Sequence, residues 1–188
     1  MAAYDLPMTS RKNLSETVLG VLVACLLAQA GYGQSKRAKY QLTQFDSSAC
    51  GAKGRVQDCR GKVMRQILAD GKDAIPIIIS QLTETTRTKE QIADYWADTR
   101  SGDVAFIVLT DLFTNAEGNT FEMPGVPDWA ALMKGCTTTA QGCWDQYLHK
   151  HSRMSVRNAW MHAWESRKDQ IRWDSTALCF RVSKPQGS

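Results

Sequence analysis

Apolar residues recur along much of this chain at the spacing of one helix face. Val63, Ile67 and Leu68 make one such stripe, and Gly71 follows where a left-handed cap would end the helix. Asp73 reads as the N-cap of a second helix, with Pro76 in its first turn, where a missing N–H costs nothing. Ile75, Ile78, Ile79 and Leu82 then fall at i, i+3, i+4 and i+7. Ser101 reads as the next N-cap, with Asp103 near the positive end of that helix. Residues 104–109 are apolar on all sides, the signature of a central, buried helix. The stretch 114–127 is rich in Asn, Gly and Pro and reads as a long loop.

Asp128 opens a short helix through Met133, ended by Gly135, and another helix is expected over 141–149. Ser152 or Ser155 starts the last strong one, where Val156, Ala159, Trp160, Ala163 and Trp164 mark one face. The tail over 171–182 alternates weakly and reads as short, irregular or extended chain. Other strand signals are nearly absent. The fold class expected is therefore all-α, with helical hairpins packed as a small orthogonal bundle or a short array.

The stretch 63–76, VMRQILADGKDAIP, together with Ile79 and Leu82, resembles a HEAT-like helical repeat through its short turn and its Ala-Ile-Pro entry to the second helix. A further first helix starts at Asp103-Val104-Ala105, and Leu109 stands 41 residues after Leu68, within the range of such repeats. The resemblance covers residues 58–113. It implies a scaffold that binds protein, whereas the Trp-rich C-terminal third departs from it.

The N-terminus changes the picture of where the chain works. Arg11 and Lys12 precede an uncharged, largely apolar stretch over 17–28, followed by Ala28-Gln29-Ala30. That order is a secretory signal peptide over residues 1–30, cleaved after about Ala30. The alternative is the lipobox-like Leu22-Val23-Ala24-Cys25, which would leave a lipid anchor on Cys25. Both routes place the chain in the periplasm or outside the cell. Residues 31–49 are polar and without periodicity and are expected to be a flexible mature N-terminus, leaving 50–188 as a single helical domain.

Export makes disulfides the default fate of the cysteines. Five of the six follow the leader, and two pairs are close in sequence, Cys50 with Cys59 and Cys136 with Cys143. These are the expected staples, with Cys179 left over, either buried as a small apolar group or paired differently. Zinc is not expected, because neither pair has the C-x₂₋₄-C spacing of structural sites.

With 188 residues, 43% hydrophobic and 22% charged, the chain is neither disordered nor polytopic; no apolar run reaches the roughly 18 residues of a membrane-spanning helix. The net charge of +4 hides an uneven distribution: +6 over 36–65, −7 over 66–145 and +5 over 146–188. A nucleic-acid partner is not expected, since no recognition motif accompanies these basic ends.

Candidate chemistry is sparse. His149 and His151 lie two apart, so one helix face cannot present both to a metal, and His162 stands alone. Asn115-Ala116-Glu117-Gly118-Asn119 fails as a calcium loop, because Phe113 and Pro124 occupy the ligand positions. Neither a nucleophile elbow nor a phosphate-binding loop is present. No catalytic residue, cofactor or metal site is therefore assigned. Trp96, next to Tyr95 in a charged segment, and Trp129, behind Pro127, are expected to be half exposed and are the candidate anchors for a protein partner or a sugar ring. The reading is an exported, non-catalytic protein-binding or scaffold module. The alternative is a cell-envelope hydrolase using acidic residues of the 98–122 region, namely Asp98, Asp103, Glu117 or Glu122.

Overall fold

A computed structural model of the chain describes residues 39–46, 61–89 and 98–183. The leader over 1–30, Cys25, Cys50, Cys59 and Trp96 lie outside the described residues. The described residues all belong to one compact unit, Ala38–Ser188.

Helix α1 (Lys62–Asp70) buries Met64 and Ile67. Gly71 ends it at φ +58°, and its N–H reaches back to the carbonyls of Ile67 and Leu68. A 3-10 turn, Gly71–Ala74, leads directly into α2 (Ile75–Gln81). Asp73 sits inside that turn, and Ala74 occupies the N-cap without a side-chain bond, so Asp73 does not cap α2 as expected. The pre-set φ of Pro76 starts the helix instead. Ile75, Ile78, Ile79 and Leu82 are all buried, as their spacing requires.

Helix α3 (Ser101–Leu112) is the centre of the core, with Val104, Ala105, Phe106, Val108 and Leu109 fully covered. Its N-cap is Arg100, not Ser101. The Arg100 N–H donates to Asp103 Oδ2 at 2.8 Å, so the third helical residue holds the cap. Helix α2 packs against α3 and against the helix Arg153–Arg167, and the 3-10 turn Leu42–Gln44 packs against α3. Residues 39–46 depart from the flexible segment expected over 31–49. Tyr40, Leu42 and Phe45 are buried, and Lys39 and Tyr40 both engage Asp70, at 2.9 and 2.5 Å. Three apolar side chains in six residues are too short a run to show periodicity, yet they suffice to dock a short segment.

Helix α4 (Trp129–Met133) is capped by Asp128, which accepts from the Ala131 N–H at 2.7 Å, and Gly135 follows at φ +75°. Helices α5 (Ala140–His151) and α6 (Arg153–Arg167) are capped by Thr139 and Ser152. Trp160 and Trp164 of α6 face the core. The last described elements are a hairpin of β1 (Ile171–Asp174) and β2 (Cys179–Val182), antiparallel with Trp173 opposite Phe180. The fold is thus mostly helical with one small sheet, and the weakly alternating tail is a paired ribbon rather than a loose end. Asp174 makes its turn by accepting from the N–H groups of Thr176 and Ala177. Among the described residues, no helix is long and apolar enough to cross a membrane.

Candidate functional site

Residues 113–122 form a loop held by its own polar groups rather than a loose connection. Thr114 and Phe121 pair across it, and Glu122 N–H donates to the Phe113 carbonyl at 2.8 Å. Asn115 Oδ1 accepts from the N–H groups of Asn119 and Thr120, both at 3.1 Å. Gly118 turns the chain at φ +75°, and Asn119 Nδ2 donates to Glu117 Oε2 at 2.8 Å. The Ala116 N–H donates to the Ala177 carbonyl at 2.7 Å, tying the loop to the β1–β2 turn. A cleft of about 490 Å³ lies between this loop and the start of α4. Phe121 and Trp129 line it together with Asp111, Glu117 and Asp128.

Trp129 is half-buried, and its place is set from behind by a column of rings. It meets Phe106 edge-on at 5.2 Å, and Phe106 stacks on Trp144 at 4.1 Å. Tyr147 follows in parallel at 6.1 Å from Trp144, and His151 stacks on Tyr147 at 4.4 Å. Burial pushes the Tyr147 hydroxyl above its ordinary range. Five rings from three helices thus run from the cleft to the end of α5.

The four carboxylates named from the sequence do not converge on this cleft. Only Glu117 lines it. Asp98 pairs with Arg87 at 3.0 Å and lies 3.8 Å from Arg100. Glu122 pairs with Arg181 at 3.3 Å. Asp103 is buried, its Oδ1 bound by the Arg153 guanidinium and by Trp144 Nε1–H at 2.7 Å, its Oδ2 by the Arg100 N–H. Such a fully engaged carboxylate holds helices together. Asp145 stands near this pair, and its carboxyl is raised, first by desolvation and then by the charge of Asp103, with Arg153 opposing.

Cys136 and Cys143 form the expected disulfide, with Cα atoms 5.8 Å apart, joining the end of the α4 turn to the first turn of α5. Cys179 is free and buried, and desolvation raises its thiol further from the reactive range. Among the described residues, no group of three or more His, Cys, Asp or Glu is placed to hold a metal ion.

Asp111 had no sequence signal of its own, being one polar residue at the end of an apolar helix. Asp128 was legible as a cap but not as a wall of a cleft. The contact of Asp103 with Trp144 and Arg153 spans 41 and 50 residues, and no local pattern announces it. No family model, no curated protein and no solved structure matches this chain.

Proposed function

We propose that this protein is an exported, non-catalytic helical module that binds another protein, taking a basic side chain of the partner into the cleft beside Trp129. The observation that carries this reading is the make-up of that one pre-formed cleft: two aromatic rings with three carboxylates around about 490 Å³. The volume falls within the range of ordinary ligand sites. A lysine or arginine head is attracted by an aromatic face and by carboxylates alike, and the two effects add in one place. The acidic balance of the middle of the chain supports the same choice of partner. The Cys136–Cys143 disulfide supports export, since such bonds persist in oxidising compartments. The HEAT-like likeness of residues 58–113 belongs to the same proposal, as a scaffold that carries the cleft.

Calorimetric titration with short arginine- and lysine-containing peptides tests this reading. Binding should weaken as salt rises, and Trp129→Ala should reduce it about tenfold or more, as truncating an aromatic anchor does. Equal binding by the wild type and Trp129→Ala would overturn it. So would turnover of cell-envelope polymer that Glu117→Gln abolishes, which is the outcome the hydrolase reading requires.

A further inference from the structure

A second cavity, of about 550 Å³, opens away from the Trp129 cleft, between the end of α1, the end of α3 and the β1–β2 hairpin. Its lining is apolar: Ile67 and Leu68 from α1, Leu112 from α3, and Ile171 and Phe180 from the hairpin. Gly71 lines it too, and a Cβ built there would meet nothing within 4 Å, so the wall is open at this point. The register puts Ile171, Trp173, Phe180 and Val182 on one face of the ribbon, because directly paired residues and residues two apart share a side. On that face Ile171 and Phe180 are covered, whereas Trp173 is 42% exposed. Its ring meets Phe180 edge-on at 5.1 Å and also lines the cavity. A large aromatic side chain left uncovered on the inward face of a hairpin is an incompletely filled apolar layer.

The polar side of the same cavity has one sign. Lys72 and Arg172 line it, both exposed, and no acidic residue does. Of the acidic groups near it, Asp70 is engaged by Lys39 and Tyr40 and Asp174 by Arg181 and the turn, while Asp73, beside Lys72, is exposed and does not line the cavity. Arg172 donates to the Ile171 carbonyl at 2.8 Å, and among the described residues no carboxylate forms an ion pair with it.

We infer that this cavity is a binding site for a single-chain anionic amphiphile, a free long-chain carboxylate, with the chain against Ile67, Leu112 and Phe180 and the head at Lys72 and Arg172. An apolar cavity selects the chain, and two cations without a facing carboxylate select the head. Trp173 covers the chain where it leaves the cavity. The site is independent of the cleft at Trp129, so either can fail without the other.

Titration calorimetry of the full chain with octanoate, decanoate and dodecanoate, each below its micellar concentration, tests the assignment. Affinity should rise about fourfold per added methylene until the cavity is filled. Dodecanol should bind about tenfold or more weakly than dodecanoate, because it lacks the charge that the cations hold. The double variant Lys72→Gln/Arg172→Gln, at two exposed positions, should bring dodecanoate down to the affinity of dodecanol and leave dodecanol unchanged. Should that variant fail to fold, the wild-type chain-length series decides alone. Affinity that is flat with chain length, or equal for acid and alcohol, overturns the site. Binding to phosphatidylglycerol vesicles without binding to monomeric carboxylate also overturns it, in favour of a membrane surface as the source of the anion. Backbone amide shifts confined to 67–72, to the end of α3 at Leu112 and to 171–180 support it; shifts centred on 114–121 instead overturn it.

Discussion

Removing Arg153 perturbs the buried node that joins α3, α5 and α6. In the folded chain the side chains of Asp103 and Arg153 are 5% and 16% exposed, so their attraction is weakly screened. Breaking such a pair by deleting one partner typically costs about 3–5 kcal/mol, because a buried charge is left behind. Arg153→Met leaves Asp103 two donors, Trp144 Nε1–H and the Arg100 N–H, which argues for the lower end, about 3 kcal/mol. The guanidinium also lies 5.9 Å from the Trp144 ring, a contact that methionine only partly replaces. Urea denaturation followed by far-UV circular dichroism measures the loss, which corresponds to a melting-point drop of about 10 °C for a domain of this size. Asp103→Asn alone should cost a comparable amount, and the double variant much less than the sum, with a coupling of about 2 kcal/mol. A loss below about 1 kcal/mol for Arg153→Met, or strict additivity in the cycle, would refute the claim that Asp103 is a structural carboxylate.

Gly102→Ala should destabilise by about 2 kcal/mol despite the better helix propensity of alanine, since its Cβ would stand 2.6 Å from the Leu82 carbonyl and 2.7 Å from that of Glu84; thermal melting reads this directly. Reduction of the Cys136–Cys143 bridge, or Cys136→Ser with Cys143→Ser, should cost about 2.5 kcal/mol from loop entropy, checked by denaturation with and without reductant. The Lys39 ammonium and then the Tyr40 hydroxyl hold Asp70 below the usual carboxylate range. A lowered folded value means that this contribution is complete above about pH 4 and is lost as pH falls through the folded value. Amide protection at 39–46, taken relative to the intrinsic exchange rate at each pH, should therefore fall below about pH 4 in the wild type and be already weak at neutral pH in Asp70→Asn.

The helices were legible because their apolar residues repeat at helical spacing over two or more turns, as at Ile75, Ile78, Ile79 and Leu82. Caps were read less well. At Asp73 and Ser101 a residue of the right chemistry stands one position from the true N-cap, and a proline or a backbone N–H to Asp103 does the work instead. The docking of Tyr40, Leu42 and Phe45 left no periodic trace, because a single 3-10 turn has none. Trp129 is legible as a half-exposed aromatic behind Pro127, and the structure adds the walls around it. Glu117 was also named, but for its compartment rather than for its place. The apolar cavity at the hairpin could not be read at all, since its lining comes from three separate stretches of chain.

The proposed function depends most heavily on the Trp129 cleft as a recognition site for a basic side chain. Nuclear magnetic resonance titration of the ¹⁵N-labelled protein with an arginine-containing peptide tests this most directly. Salt-sensitive shift changes clustered at residues 114–121 and 128–131 are expected, together with their loss in Trp129→Ala. Shift changes centred elsewhere, or unaltered in that variant, would contradict it.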